Sequence, residues 1–327
     1  MSLKKNKKSR RGYSAVDFIA VIGCLTFLLA ALMPAILHAR DQARDNQCKA
    51  KMKTIATALA TYNDKFEGLP PGWVSRYRDG ISPAGHGWLT RLLPYLNHGP
   101  FYKTINFDQP TNAQNEIFQK SLECFHCPAE QNLPLTNPFR GGYGISSYSG
   151  CMGEIAPLRW SDGRLEAHWP GAAPTFNLWG MTKTRSEDLR PVTYNPYDGH
   201  DALNYSSTGA FGWNRSTRYV NVPDGTSNTI SFGERSKISG WGIWPGVGAN
   251  RFESDTLTDV SFASALNNSL TGFSSAHEGG VHFAMMDGSV RFISNAIDSK
   301  PEGGLLQFLG NRSDHQDTSA FGNSSEP

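Results

Sequence analysis

Three residues near the C terminus have the side-chain types that bind zinc in many hydrolases. His277, Glu278 and His282 come close to the pattern His-Glu-x-x-His, in which two imidazoles four residues apart share one face of a helix. Here the imidazoles are five residues apart, and Gly279-Gly280 between them disfavours a helix. We therefore expect no catalytic zinc and interpret the segment as the polar start of a hairpin.

Other catalytic patterns are also incomplete. The serine-hydrolase pattern Gly-x-Ser-x-Gly is approached at residues 225–229, but Thr229 stands where the last glycine should be. Because Asp224-Gly225 precedes that segment, it is more typical of a turn that enters a strand at 229–232. The sequence predicts a protein that is not an enzyme, with no catalytic residue and no cofactor.

One loop carries oxygen ligands that suit calcium. Asp198, His200 and Asp201 lie together in the sequence YDGHD, and carboxylates on a loop can bind Ca²⁺. The match is in ligand type alone, and a solvated turn explains the same residues. We keep Asp198 and Asp201 as a weak calcium candidate and expect no resident metal.

Five cysteines are present, of which Cys24 lies in an apolar run. The pair Cys124-x-x-Cys127 resembles redox and zinc motifs, but no second pair with that spacing accompanies it. We favour a structural role for these cysteines, with one disulfide bridge among Cys124, Cys127 and Cys151. Together with Cys48, four cysteines allow three complete pairings, and the sequence does not choose between them.

Tryptophans are concentrated in the second half of the chain. Six of the eight, including Trp241 and Trp244, lie between residues 160 and 244. They could form a surface on which sugars stack, although large aromatic side chains in a β domain more commonly belong to the core.

The elements that position these residues begin with a charged leader and an apolar run. Six of the 31 cations lie in the first eleven residues, which leaves 25 cations against 29 acids in the rest and argues against a nucleic-acid partner. Residues 18–37 are twenty residues without a charge, enough for a helix of about 30 Å that spans a bilayer. The leading cations predict a cytoplasmic N terminus and an exported C-terminal part. A cleaved signal peptide is disfavoured because no Ala-x-Ala site follows the run.

The leader and the start of that run resemble the prepilin-type cleavage and methylation motif of type IV pilins and pseudopilins. The matching residues are 10–17, RRGYSAVD, followed by the apolar run. The resemblance implies cleavage after Gly12 by a prepilin peptidase, a mature N terminus at Tyr13, and self-assembly through the N-terminal helix. Asp17 stands where that family usually has Glu, and Pro34 falls where pilins often have a helix-kinking proline.

The helix is predicted to continue well beyond the membrane. Apolar residues spaced by four and three form one stripe, which comprises Cys48, Met52, Ile55, Leu59, Tyr62 and Phe66. We expect a leader over 1–12, a helix over 13–66 that is transmembrane to about 37, a β-rich extracytoplasmic domain over 67–310 and a flexible tail over 311–327. The fold class is α+β, with a pilin-like long helix packed on a mostly antiparallel domain with long loops.

Most of the chain also resembles a large family of planctomycete proteins of the DUF1559 type, which are marked by a prepilin-type N terminus and a His-x9-Asp-Gly signature. The signature residues here are His277, Asp287 and Gly288. Matching stretches lie at residues 47–64, 69–73, 88–108, 127–128, 146–150, 222–234 and 277–294. This resemblance implies architecture rather than an activity.

The signature itself predicts a hairpin. Asp287-Gly288 suits the two central positions of a type I′ turn, which would pair Phe283 with Phe292 on a buried face. In that register His277 lies opposite Asp298, and strand length keeps His277 and Asp287 apart. We expect Asp287 to fix the turn and His277 to anchor the open end.

These expectations favour a structural role. The chain is predicted to be a pilin-like or pseudopilin-like subunit of the cell envelope or a secretion apparatus, held as a single-pass protein in the inner membrane. The alternative is a membrane-tethered binding protein for polysaccharide or an envelope partner.

Overall fold

The computed structural model of the protein describes most of the chain. The described residues are 15–74, 84–153, 159–161, 164–166, 207–212, 214–248, 255–260, 264–269, 272–300, 303–316 and 318. The chain divides into two compact units, residues 1–46 and residues 47–327.

The first unit holds the N-terminal part of helix α1, Ala15–Phe66, which contains Pro34. This part is long and apolar enough to cross a membrane, judged by its length and composition. Its large apolar side chains from Val16 to Leu37 are all more than half exposed, and none of the most apolar 18-residue window is buried. An apolar surface of this length is not stable against water, because each side chain exposed in this way forgoes about 1.5–3 kcal/mol of burial.

The second unit begins with the remainder of α1, whose apolar stripe lies in the core. Cys48, Met52, Ile55 and Leu59 are at most 2% exposed, which confirms the predicted stripe over these four residues. The stripe is less buried at its end, where Phe66 is 54% exposed and its ring lies tilted against the ring of Tyr62, with centroids 4.4 Å apart. The helix ends there because Glu67 adopts a positive φ of 57° and two prolines follow.

The globular unit is built from short strands and short helices. The strands are β1 Trp73–Val74, β2 Gly85–Gly87, β3 Ile145–Ser146, β4 Tyr148–Gly153, β5 Arg159–Ser161, β6 Arg164–Glu166, β7 Ile230–Glu234, β8 Gly242–Ile243, β9 Gly246–Val247, β10 Leu257–Asp259, β11 Gly280–Met285 and β12 Val290–Ser294. The α-helices after α1 are α2 Trp88–Leu92, α3 Gly99–Tyr102, α4 Glu116–Gln119 and α5 Leu305–Gly310. The 3₁₀ turns are Leu93–Leu96, Glu123–Phe125, Tyr219–Asn221 and Lys237–Ser239.

A five-stranded sheet organises the unit, in the order β10-β4-β7-β11-β12. Its pairs are antiparallel except β10 with β4, which is parallel. The α+β class, the long helix and the mainly antiparallel sheets are therefore confirmed. β5 and β6 also pair antiparallel, and Asp162-Gly163 stands between them in the sequence.

Both faces of the central sheet are covered by apolar side chains. On one face, Phe232 and Ala284 belong to the cluster that contains the α1 stripe, Trp88 and Trp244. On the other face, Phe283 and Met285 belong to a second cluster that contains Leu306 and Leu309 of α5. Strand alternation explains why neighbouring residues of β11 enter different cores.

The tryptophans that the structure describes with their side chains, Trp73, Trp88, Trp241 and Trp244, are all buried. Trp88, Trp241 and Trp244 are at most 4% exposed. Each indole N–H has an acceptor, namely the Thr256 carbonyl, the Glu130 carboxylate and the Lys120 carbonyl respectively. Trp241 and Trp244 are thus packing residues rather than a sugar-stacking surface. Trp213 and the side chains of Trp160, Trp169 and Trp179 lie outside the described residues.

The apolar run at residues 219–222, whose composition is typical of a short strand, begins with a 3₁₀ turn instead. Tyr219–Asn221 forms this turn, and Val220 within it is 85% exposed. The apolar run at 219–222 is too short to distinguish a strand from a turn by periodicity, and no neighbouring strand pairs with it among the described residues.

The hairpin of β11 and β12 forms where predicted, but its register differs by one residue. Phe283 pairs with Arg291 and His282 pairs with Phe292, whereas the expected register paired Phe283 with Phe292. As a result Phe283 is buried and Phe292 is 37% exposed. The predicted aromatic pair on one buried face is therefore wrong.

The shift comes from a three-residue loop in place of a two-residue loop. Met285 N donates to Ser289 O, and Gly288 N donates to Met285 O, which closes a turn over 286–288. Gly288 has a φ of 80°, whereas Asp287 is not in the positive-φ region that a type I′ turn requires. Asp287 instead caps the loop, because its Oδ1 accepts from Ser289 N at 2.7 Å.

We predict that Gly288→Ala destabilises the protein by about 1–2 kcal/mol, because an L side chain strains the left-handed region. Steric clash does not contribute, since a Cβ at this position meets its nearest atoms at 3.8 Å. Gly99→Ala is the matched control, because Gly99 has open space and no positive φ. Chemical unfolding of the full chain in detergent, followed by tryptophan fluorescence, measures both. Equal stability of the two variants would contradict the three-residue loop.

Candidate functional site

A buried polar cluster lies between the central sheet and the part of α1 in the globular unit. It contains Glu234 at the end of β7, His282 in β11, His277 just before β11, and the sulfur atoms of Cys48 and Cys127. Cys48 comes from α1, and Cys127 follows the turn Glu123–Phe125. Four segments distant in sequence therefore meet at one place.

Glu234 is the centre of this cluster. Strand alternation places its side chain on the same face as Phe232, toward the α1 stripe, and leaves it 2% exposed. Its Oε2 accepts hydrogen bonds from the Ser275 hydroxyl at 2.7 Å and from the His282 backbone N at 3.0 Å. The carboxylate is thus held by two uncharged donors before either imidazole is considered.

Both histidines also face this carboxylate. His282 Nδ1 lies 3.1 Å from Oε2, and His277 Nε2 lies 3.5 Å from Oε1. Since a carboxylate oxygen can only accept, the facing ring nitrogen donates in each case. The two imidazoles are perpendicular, with ring centroids 4.7 Å apart. The hairpin thus brings His277 and His282 together without the helix that a zinc-protease motif needs.

The electrostatics of Glu234 follow from these contacts. Burial by itself raises the pKa of the carboxyl group, because the ionised form is poorly solvated. Hydrogen bonds and charge interactions with His277 and His282 outweigh that effect and lower the pKa to about 2. Glu234 is therefore ionised at neutral pH.

The cysteine pairing differs from the expected one. Cys48 and Cys127 form a disulfide, with Cα atoms 5.4 Å apart, while Cys124 and Cys151 are free thiols. The expected bridge among Cys124, Cys127 and Cys151 is thus wrong in its partner, because Cys127 reaches Cys48 on α1. The link joins residues 79 apart, and closing a loop of that length stabilises a fold by about 4 kcal/mol in the chain-entropy treatment.

The disulfide lies directly against the polar groups. Cys127 Sγ is 3.3 Å from Glu234 Oε1 and 3.7 Å from His277 Nε2. One ligand atom each from Cys48, Cys127, Glu234 and His277 lies within 4.8 Å of the others. Sulfur, imidazole and carboxylate are the donors that bind borderline-soft divalent metals, so these four residues could hold one when the sulfurs are reduced.

The structure separates the two ends of the His-x9-Asp-Gly signature. His277 precedes β11 and Asp287 follows it, so a six-residue strand of about 20 Å lies between them. The expectation that His277 lies opposite Asp298 is wrong. β11 starts only at Gly280, and His277 turns toward Glu234. Asp298 instead binds Lys300 at 3.1 Å.

Asp224 of the turn motif has a role that the sequence analysis did not assign. Its carboxylate accepts from Asp314 N and His315 N, both at 2.9 Å. Gly225 beside it has a φ of 92°, as the turn requires. The start of the segment expected to be a flexible tail is therefore fastened to the domain.

Several predicted site residues lie outside the described residues. These are Gly12, Tyr13, the side chain of Asp17, and the calcium candidates Asp198 and Asp201. Pro34 is described and lies within α1.

Glu234 is the functional residue that sequence reasoning missed. Its signal is present in the strand ISFGE, where period-two alternation puts Glu234 on the same face as Phe232. A carboxylate on a buried face needs partners, and His277 of the signature and His282 within it were available.

We predict that Glu234→Gln lowers the free energy of unfolding by about 2–4 kcal/mol, because the amide nitrogen would face hydrogen-bond donors in a buried site. Glu278→Gln is the matched control, since Glu278 is exposed and only one residue from His277. Urea unfolding of each full chain in detergent provides the comparison. A Glu234→Gln variant as stable as Glu278→Gln would show that the carboxylate charge is not required.

We also predict the disulfide map. Non-reducing digestion should recover a peptide with Cys48 linked to one with Cys127, and cleavage after Phe125 separates Cys127 from Cys124. Burial raises the pKa of the Cys124 and Cys151 thiols to about 12, so both should react slowly with iodoacetamide in the native protein. Cys124→Ser should retain the link and Cys127→Ser should lose it. A peptide that joins Cys124 to Cys151 would contradict this pairing.

Comparisons with known proteins identify the family. The sequence profile of the DUF1559 family, described as proteins of unknown function, matches residues 37–300. No curated protein and no solved structure matches the chain. The profile covers most of the chain, including the α1 stripe, the central sheet and every residue of the buried cluster. The chain therefore belongs to the DUF1559 family.

Proposed function

We propose that this protein is a pilin-like structural subunit of the cell envelope or a secretion apparatus, anchored in the inner membrane by α1. A prepilin peptidase would cut after Gly12, leaving the apolar helix as the start of the mature chain. The C-terminal domain would lie in the periplasm or outside the cell. Membership of the DUF1559 family together with an apolar N-terminal helix is compatible with a membrane-anchored extracytoplasmic protein.

The change in environment along α1 carries the proposal. Its large apolar side chains are exposed from Val16 to Leu37, yet they are buried from Cys48 to Leu59. A helix with this division needs an apolar surrounding for its first part, supplied by lipid or by the helices of other subunits. Its later part is built into the domain, and the Cys48–Cys127 disulfide fixes it there.

The sequence of the leader supports the assignment as a pilin-like subunit. The residues 10–17, RRGYSAVD, place a glycine before a short polar segment and then the apolar run. Asp17 would sit near the cytoplasmic end of the helix, where a buried acid costs about 2–3 kcal/mol unless a cation accompanies it. The free amine of Tyr13 in a neighbouring subunit would provide that cation and link assembly to cleavage.

The alternative function is a tethered binding protein for polysaccharide or an envelope partner. Trp241 and Trp244 do not support it, because both are buried and their indole N–H groups are bonded within the domain. A sugar surface would have to use other residues, so no described contact favours this alternative over the structural role.

Processing and assembly together provide the test. We predict that mass spectrometry of the membrane-extracted protein finds a chain that begins at Tyr13, and that this chain pellets with sheared filaments. Gly12→Val should block both, because a side chain beside the scissile bond disturbs the peptidase site. Gly23→Ala is the control, since a Cβ there meets open space. It should be processed normally.

Two results would contradict the proposal. An N terminus beyond residue 37 would identify a secretory signal and remove the anchor. A processed protein that never leaves the membrane fraction on shearing would retain the anchor but exclude the filament role.

A further inference from the structure

We propose that the buried cluster is a zinc site when its cysteines are reduced, with Cys48, Cys127, His277 and Glu234 as the four ligands. The Cys48–Cys127 disulfide and the zinc complex are then two alternative states of one site. The ligand class is a borderline-soft divalent cation, since two thiolates, an imidazole and a carboxylate suit Zn²⁺.

The spacing of the ligand atoms is the first argument. Tetrahedral zinc with bonds of about 2.0–2.3 Å places its ligand atoms about 3.3–3.8 Å from each other. Glu234 Oε1 and His277 Nε2 are 3.5 Å apart, and Cys127 Sγ is 3.3 Å from the first and 3.7 Å from the second. Three of the four ligands are already arranged as one face of the tetrahedron. The fourth ligand atom, Cys48 Sγ, lies within 4.8 Å of the other three and has to separate from Cys127 Sγ.

The groups behind the ligands are the second argument. The Ser275 hydroxyl donates to Glu234 Oε2 and accepts from His277 N at 3.1 Å, so one side chain orients two ligands. His282 also holds Oε2, through its backbone N and Nδ1. These contacts keep Oε1 directed at the sulfur atoms. Orientation of ligating carboxylates and histidines by such outer partners is typical of metal sites.

The oxidised state does not by itself explain this arrangement. A disulfide sulfur has no hydrogen to donate, so the 3.3 Å contact of Cys127 with Glu234 Oε1 gives no hydrogen bond to a buried carboxylate. A structural disulfide packs equally well against apolar side chains. A cation among these atoms would instead be bound by the sulfurs, the imidazole and the carboxylate at once.

An external dithiol gives two electrons to the disulfide, is oxidised to its own disulfide, and leaves Cys48 and Cys127 as thiols. Zn²⁺ then binds both sulfurs as thiolates and Nε2 of a neutral His277 that keeps its one ring proton on Nδ1, and every proton displaced from the sulfurs and from Nε2 passes to water. Oxidation reverses both steps and releases the ion. In either state Cys48 of α1 stays joined to the segment that carries Cys127, so the site fastens the helix under oxidising and reducing conditions.

The test uses the full chain in detergent and compares its two redox states. One sample is kept oxidised and the other is reduced with a phosphine, which takes up oxygen from water as it opens the disulfide. Both are freed of metal, supplied with Zn²⁺ and desalted, and bound zinc is measured by mass spectrometry. We expect about one zinc per chain in the reduced sample and less than a tenth of that in the oxidised sample. Co²⁺ in the reduced sample should show thiolate-to-metal charge transfer and intense tetrahedral bands.

Variants separate this site from other thiols. His277→Ala should abolish stoichiometric binding, and Ser275→Ala should weaken it about 10–100-fold, as loss of an outer partner does. Cys124→Ser and Glu278→Gln are the matched controls and should bind like the wild type, since neither residue belongs to the cluster. Tryptophan fluorescence checks that each variant is folded.

The proposal is overturned by either of two results. A reduced, folded wild type that binds no zinc would exclude the site outright. Stoichiometric zinc that persists in His277→Ala, or that disappears in Cys124→Ser, would assign the metal to other groups.

Discussion

A buried carboxylate, Glu234, fixes how two central strands of the globular unit meet. Glu234 cannot be left without partners in the core, because an ionised group there costs several kcal/mol unless hydrogen bonds and opposite charge compensate. Its partners come from Ser275, His277 and His282, all in or just before β11. The position of the β11 strand relative to β7 is therefore specified by charge as well as by backbone pairing.

The need of Glu234 for partners also explains the spacing of the family signature. His277 lies at one end of β11 and turns toward Glu234, while Asp287 and Gly288 form the loop at the other end. The nine intervening residues span one strand of a buried sheet. Lys53 of α1 donates to Gly288 O at 2.7 Å, so the loop end of the strand contacts the helix too. Both ends of the signature thus dock β11 against α1, one by a polar cluster and one by a loop.

The two parts of helix α1 differ in how much of their apolar surface the chain buries. Its residues up to Leu37 expose apolar side chains in every direction, whereas residues 48–59 bury only one stripe. Such a helix holds a folded domain to an apolar surrounding only if its later part stays in the core. The buried stripe holds it there through apolar contact, and the link from Cys48 to Cys127 holds it there covalently.

The sequence by itself determined the features that depend on local periodicity and composition. These are the long helix, the buried stripe from Cys48 to Leu59, the mostly antiparallel β class, and hairpins at Asp-Gly. Each follows from residues close together in the chain, where a period of 3.6 or 2 and a turn residue are enough.

Only the tertiary structure decided which distant residues meet. The partner of Cys127 is 79 residues away on α1, and no local pattern distinguishes Cys48 from Cys124 or Cys151. The register of the last hairpin depended on whether its loop has two or three residues, and a change of one moved Phe292 from the buried face to the exposed one. Glu234 became the centre of a site because β7 and β11 lie side by side, with α1 over them. Proximity in three dimensions sets pairing, register and charge compensation, and it is a property of the whole packed chain.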